Sequence, residues 1–356
     1  MLNKLLDKFK KAQESLVVQQ SDFSLKAISD MVIKNSINIE PGYQRRERWS
    51  PAKQAALIES FILNVPVPPI YLSEDDYGIY SVIDGKQRIS AIRNFITNEL
   101  KLKDLKEINE LNGKTFSELP PPIQNALTIR PYIRVITLLK QSDPELKYEV
   151  FLRLNTGGEK LLPQEIRNVA YSGPLNDLLF ELSKNNLLSK KLKIKDHKST
   201  AYQKMDDVEH VLRFFTLSDN WDVIGNILAY EMDLYMRNNR RPGADKIDEM
   251  KNRFNRCIKA CFDLWGDYAF NKPLTNGWRV QLISPLYDAE MVAVSMLNSK
   301  EIDILKTKSK DVIKQTRFLF EKNEAFVRSV TQATNNPANI KRRINDMHSL
   351  LVGITR

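Results

Sequence analysis

Residues 79–95 read Ile79-Tyr80-Ser81-Val82-Ile83-Asp84-Gly85-Lys86-Gln87-Arg88-Ile89-Ser90-Ala91-Ile92-Arg93-Asn94-Phe95. Ile79 to Ile83 are β-branched and aromatic, as a buried strand requires. Ile89, Ile92, Phe95 and Ile96 then recur at three- and four-residue spacing, as one helix face requires. The stretch predicts strand, tight turn, helix, with Asp84-Gly85 as the hinge. Gly85 permits a sharp turn and puts no side chain in the way, so the first N–H groups of the helix can face an anion, reinforced by Lys86 and Arg88. The polyphosphate of a nucleotide fits such a place. Asp84, at the carboxyl end of the strand, suits a Mg²⁺ ion carried by those phosphates or a water poised for attack. A plainer reading competes, in which Asp84 caps the helix, Gly85 makes the turn and the cations are solvated. Two cations in a first turn oppose the helix macrodipole, and that favours a bound anion.

Upstream, Tyr43-Gln44-Arg45-Arg46-Glu47-Arg48-Trp49 places an amide, three arginines and two aromatics in a segment bounded by Pro41 and Pro51. It reads as a binding loop, against a Tyr–Trp packing pair with solvated arginines. Ser50-Pro51 opens a helix buried by Leu57, Ile58, Phe61 and Ile62. Pro66 to Leu72 re-aims the chain into a strand, and Glu74-Asp75-Asp76-Tyr77-Gly78 returns it as a hairpin into the central strand. Residues 1–38 read as a helical lead-in, with Ser24 as a cap. Downstream, a short helix around Ile123 to Thr128 and a strand from Tyr132 to Leu139 follow. A helix from Asp143 through Leu154 stops at Gly157-Gly158. Around that stop Arg153, Asn155, Thr156, Gln164, Glu165, Arg167 and Asn168 fall within sixteen positions, more polar side chains than capping alone explains.

The chain has 356 residues, enough for two domains, and 54 Lys and Arg against 44 Asp and Glu give a formal charge of +10. That balance favours a polyanionic partner, nucleic acid first. Basic clusters lie at Lys190–Lys195, Arg237–Arg241 and Lys341–Arg343. From Pro174 onward the pattern is almost entirely helical. Cys257 and Cys261, the two cysteines, lie one helical turn apart without the further ligands a zinc site needs, and read as reduced core thiols. No stretch approaches the roughly 20 apolar residues of a membrane span, and Met1 to Lys11 is amphipathic rather than a signal peptide, so a cytoplasmic protein is expected.

Tyr43-Gln44-Arg45 with Trp49, then Ile83 to Arg88, then Phe151 to Gly158, then Gln164 to Asn168 resemble, in this order, the N-terminal domain family of GmrSD-type (type IV) restriction systems. The resemblance spans about residues 20 to 220. It implies an α+β chain: a small mixed-sheet ParB/sulfiredoxin-like domain over residues 1–172, followed by a mostly helical domain over 173–356. Members of the family include nucleotide-hydrolysing components of defence against modified phage DNA and sensors of phosphorothioate-modified DNA. Carried over by motif, Asp84, Gln87 and Arg88 are the catalytic set, with Asp84 on the metal. Gln44, Arg45, Gly85, Lys86, Arg153, Asn155, Thr156, Gln164, Glu165, Arg167 and Asn168 hold a nucleoside triphosphate with Mg²⁺. Lys86 stands where the family motif has Gln, which suits phosphate binding and removes a neutral amide. The three histidines, His197, His210 and His348, form no HNH-type setting, so cutting of DNA, including modified phage DNA, is assigned to a separate nuclease subunit. A homo-oligomeric state stays open.

Two other readings stand beside this one. Asp84-Gly85-Lys86 at a strand end, with Asp75 or Asp76 upstream, has the form of a PD-(D/E)xK Mg²⁺-dependent nuclease. A non-catalytic DNA-binding adaptor is the other.

Overall fold

The computed structural model describes Leu6, Phe9 and residues 16–39, 49–154 and 162–356. The chain divides into two compact units, Met1–Ala170 and Tyr171–Arg356. The first is a mixed sheet covered by helices on both faces. β1 (Val18–Ser24) leads into α1 (Leu25–Ile33), β2 (Ile37–Asn38), α2 (Pro51–Ile62), the hairpin β3 (Ile70–Asp76) and β4 (Ile79–Asp84), then α3 (Lys86–Ile96), α4 (Pro121–Ile129), β5 (Tyr132–Leu138), α5 (Pro144–Leu154) and α6 (Pro163–Ala170). The strand order is β1-β5-β3-β4-β2. β1 with β5 and β3 with β4 are antiparallel, whereas β3 with β5 and β2 with β4 are parallel.

The two-residue period of the central strands sorts the layers. Ile70, Leu72, Val82, Ile133 and Val135 face a core shared with α1 to α4, where Leu25, Ile58, Ile89, Ile92 and Phe95 are fully buried. Tyr71, Ile83 and Leu138 face the other way, onto Val150 and Leu154 of α5 and Ile166 and Val169 of α6. β4 is thus buried on both sides and delivers Asp84 to its end.

β1 is a correction to the helical lead-in. Its sequence, Val-Gln-Gln-Ser-Asp-Phe-Ser, lies on the sheet edge and is largely exposed, so it carries no alternating apolar signal. Ser24 does cap α1, its Oγ accepting from the Ala27 N–H at 3.2 Å.

The second unit comprises α7 (Pro174–Ser183), α8 (Asn186–Leu192), α9 (Thr200–Gln203), α10 (Asp206–Asn220), α11 (Leu228–Asn238), α12 (Ala244–Trp265), a hairpin of β6 (Asn271–Leu274) and β7 (Gly277–Leu282), α13 (Ser284–Ser295), α14 (Ser299–Thr307), α15 (Ser309–Lys322), α16 (Glu324–Thr331) and α17 (Pro337–Thr355). The unit is mostly helical, as expected, and the β6–β7 hairpin is an element that the sequence pattern did not place. α13 is the centre, buried without a break from Leu286 to Val294, and packed by α10, α12, α16 and α17.

Two acids lie inside α13. Asp288 accepts Arg213 through both oxygens, at 3.0 and 2.6 Å, and Arg343 at 2.6 Å. Burial penalises its charge, yet the two guanidiniums hold its carboxyl below the usual range. Arg343 is therefore fully buried and withdrawn from the basic cluster Lys341–Arg343. Glu290 is equally buried; it accepts from the Phe270 N–H at 2.8 Å, and burial pushes its carboxyl well above 4.5. Cys257 and Cys261 are free and buried, and burial raises the Cys257 thiol to about 11. No group of three metal-ligating side chains occurs among the described residues. No helix among them is long and apolar enough to cross a membrane.

Candidate functional site

Asp84 ends β4 opposite Tyr71 of β3, and Gly85 follows with φ +100° before α3 begins. Only glycine adopts that conformation without strain. Space demands glycine as well, because a Cβ here would lie 3.0 Å from Cγ1 of Ile70. No side chain caps α3, and no acidic residue stands in its first turn. A helix end of this kind presents its positive pole to whatever lies before it.

Arg88 closes the turn from behind. Its Nη2 donates to Asp84 Oδ2 at 2.6 Å and to the Pro69 carbonyl at 3.1 Å, so one guanidinium ties the end of β4 to the start of β3. The Arg88 side chain is 14% exposed and the Asp84 carboxyl 51%. Arg88 Nε is buried with no hydrogen-bond partner. Asp84 therefore faces solvent with one oxygen held, while Arg88 supports it.

Gln87 carries the turn to the arginine-rich loop. Its Oε1 accepts from the Trp49 N–H at 2.9 Å, and the Trp49 carbonyl accepts from Gln54 Nε2 at 2.8 Å. Gln54 Oε1 in turn accepts from Asn94 Nδ2 at 3.1 Å. Two helices thus clamp the last residue of the loop, and Lys53 Nζ lies 4.8 Å from the centroid of the Trp49 ring. Gln44 and Arg45, and with them the rest of that loop, lie outside the described residues, as do Asn155 and Thr156.

The second cluster divides. Arg153, in the last turn of α5, is 82% exposed with Glu149 Oε2 at 3.5 Å. Gln164, Glu165, Arg167 and Asn168 are all buried in α6, which packs on β4. Glu165 reaches back to accept from the Leu162 N–H at 2.7 Å, which caps α6 as the third-position Glu of a capping box does. Gln164 donates to Asn168 at 2.9 Å and accepts from Arg167 Nη1 at 3.3 Å. A buried polar network of this sort holds one arrangement because each member is costly to leave unpaired. These four stand behind the strand that carries Asp84.

The hairpin register separates the acids of the nuclease reading. Asp76 pairs with Ile79 at one end of the β3–β4 hairpin and Tyr71 with Asp84 at the other, about 16 Å apart at roughly 3.3 Å per residue. Asp75 accepts from the Ser81 hydroxyl, and Asp76 is paired to Lys140. Among the described residues no two-carboxylate metal site forms with Asp84, so the PD-(D/E)xK arrangement with Asp75 or Asp76 is not assembled.

Gln54, Asn94 and the Pro69 carbonyl were not singled out from the sequence. Gln54 shares a helical stripe with Leu57, Ile58 and Phe61, and a polar residue on an apolar stripe was the available signal. Residues 28–172 match the family model described as GmrSD restriction endonuclease, N-terminal domain. No curated protein and no solved structure gave a match.

Proposed function

We propose, from the place of residues 28–172 in the GmrSD N-terminal domain family, that this chain is a component of a type IV restriction or anti-phage defence system that acts on DNA. Within it, the turn at Asp84–Arg88 binds a nucleoside triphosphate with Mg²⁺ and supports its hydrolysis, while a separate nuclease subunit cuts. The observation that carries this reading is the uncapped start of α3 behind a left-handed Gly85, with Asp84 exposed beside it. The exposed carboxyl of Asp84 offers the oxygen ligands that a nucleotide-borne Mg²⁺ takes. When bound, the Mg²⁺-nucleotide supplies the scissile phosphoanhydride and the charge that makes water attack feasible.

In this assignment the backbone at the start of α3 and the Lys86 ammonium take phosphate oxygens. Asp84 holds the metal or orients the water. Arg88 keeps the Asp84 carboxyl aimed, and Gln87 fixes the arginine-rich loop to the turn through Trp49. Gln44, Arg45, Arg153, Asn155 and Thr156 are proposed as the ligand-facing walls. Gln164, Glu165, Arg167 and Asn168 act from behind, by holding α6 against β4.

The Asp84–Arg88 ion pair favours a second reading, in which the chain binds nucleotide as a signal and does not turn it over. Phosphate release by purified protein, with and without DNA, separates the two. Turnover supports the first reading; tight nucleotide binding with no turnover under either condition supports the second.

A further inference from the structure

The β6–β7 hairpin is the strand pair of a second unit that is otherwise helical among the described residues. A two-stranded ribbon is marginal by itself, yet this one is held out from the body by specific contacts. Trp278 stacks on Tyr268 with ring centroids 4.8 Å apart and planes at 18°, and the Arg317 guanidinium lies 5.3 Å from the Trp278 ring. Arg317 Nη2 also donates to the Gly277 carbonyl at 2.7 Å. At the other end Lys191 Nζ donates to the Asp267 carbonyl at 2.7 Å, which seats α8 beside the hairpin, and α8 packs against β7. The ribbon is therefore rigidly presented, although much of it is solvent-facing.

What it presents is basic. From Tyr268 to Tyr287 the charged residues are Lys272 and Arg279, with no acid, and from Asn185 to Lys195 there are four lysines and again no acid. Lys190, Lys193, Lys195 and Arg279 are exposed. Asp267 on this surface is bound by Lys190 at 2.8 Å, and Asp196 accepts from the Lys198 N–H at 2.8 Å. On α15, Lys314 and Arg317 line a groove that includes one acid, Glu321. Strand alternation puts Arg279 and Gln281 on one face of the ribbon, opposite Trp278, and Val280 stands 76% exposed.

We propose that the β6–β7 ribbon enters the major groove of duplex DNA, with Arg279 and Gln281 toward base edges and the exposed Lys193 and Lys195 of the loop after α8 on the flanking phosphates. A two-stranded ribbon fits that groove; Arg matches the guanine edge and Gln the adenine edge. The charge pattern is that of a phosphate-tracking surface. The proposal rests on the DNA-directed half of the function above and not on the nucleotide turn.

The test is fluorescence anisotropy of a labelled duplex with the full chain, across a salt series, comparing wild type with Lys272→Ala/Arg279→Ala and with Lys193→Ala/Lys195→Ala. Each double variant is expected to bind roughly tenfold more weakly at low salt; the slope of log affinity against log salt is expected to flatten by about 1.8 in Lys193→Ala/Lys195→Ala, near 0.9 per lost phosphate contact, and by no more than about 0.9 in Lys272→Ala/Arg279→Ala, where Arg279 is a base-edge contact. Lys193, Lys195 and Arg279 are exposed and Lys272 is half-buried, so circular dichroism and melting temperature should stay close to wild type. Wild-type affinity and slope in both variants overturn the ribbon while leaving DNA as the partner. Absence of duplex binding by wild type at low salt overturns both the ribbon and the DNA-directed reading. Unchanged DNA binding with loss of a protein partner in the variants makes the ribbon a protein-docking element and overturns the proposal.

Discussion

At Gly85 two constraints coincide, a left-handed backbone and a Cβ position blocked by Ile70. Gly85→Ala is expected to cost about 1–3 kcal/mol, the range for strained backbone, and to lower affinity for nucleotide. Gly78 supplies the comparison: its φ is +75°, but a Cβ there meets nothing within 4 Å. Gly78→Ala should therefore cost less in urea denaturation, and equal losses in the two variants contradict the crowding argument. Arg88→Lys tests the support of Asp84. An ammonium lacks the planar fork of the guanidinium, which here reaches the Asp84 carboxylate and the Pro69 carbonyl together. Turnover should fall while nucleotide binding changes little. If binding collapses with turnover, Arg88 is itself a ligand contact.

At the scale of elements, β3, β4, α3 and β5 were legible because their periods are clean and each is flanked by Pro, Gly or a capping residue. β1 was not, because a polar edge strand lacks an apolar face. The β6–β7 ribbon was hidden inside a helical pattern, although Asn276-Gly277 is a hairpin turn signal. The strand–turn–helix at Asp84–Arg88 was legible, whereas the contacts of its side chains were not. Asp84 to Arg88 form the turn as read, yet the Arg88 guanidinium points back to Asp84, and Glu165 caps α6. Sequence spacing shows which residues are near one another and not which way a long side chain folds back. The same limit applied to Arg343, which looked like surface charge and instead joins α10, α13 and α17 through Asp288. Asp288→Asn leaves two buried guanidiniums without their counter-charge and is expected to cost about 3–5 kcal/mol, read from urea midpoints. A loss under about 1 kcal/mol shows instead that the guanidiniums find other partners.

For the whole molecule, the two acids of α13 act oppositely with pH. The Asp288 carboxyl is lowered by its arginines, so its contribution is present above its ordinary value of 3.8 and is lost only as pH falls through the lower native value. The Glu290 carboxyl is raised by burial, so the folded state is favoured below 4.5 and loses stability as pH rises from there toward the native value. Glu290→Gln keeps an acceptor for the Phe270 N–H and removes the ionisation. Its melting temperature should match wild type at low pH and exceed it increasingly above 4.5; a gap independent of pH means that Glu290 does not titrate in this way.

The central claim is that one exposed carboxyl, Asp84, turns a phosphate-binding turn into a hydrolytic one. Asn has nearly the size of Asp and keeps an acceptor oxygen for Arg88, so Asp84→Asn isolates the charge. The most direct measurement is phosphate release by wild type and Asp84→Asn, with nucleotide affinity of both determined by titration calorimetry in the same Mg²⁺ buffer. The account predicts turnover in wild type, none in the variant, and affinity for nucleotide retained in both. Turnover in Asp84→Asn close to that of wild type contradicts it.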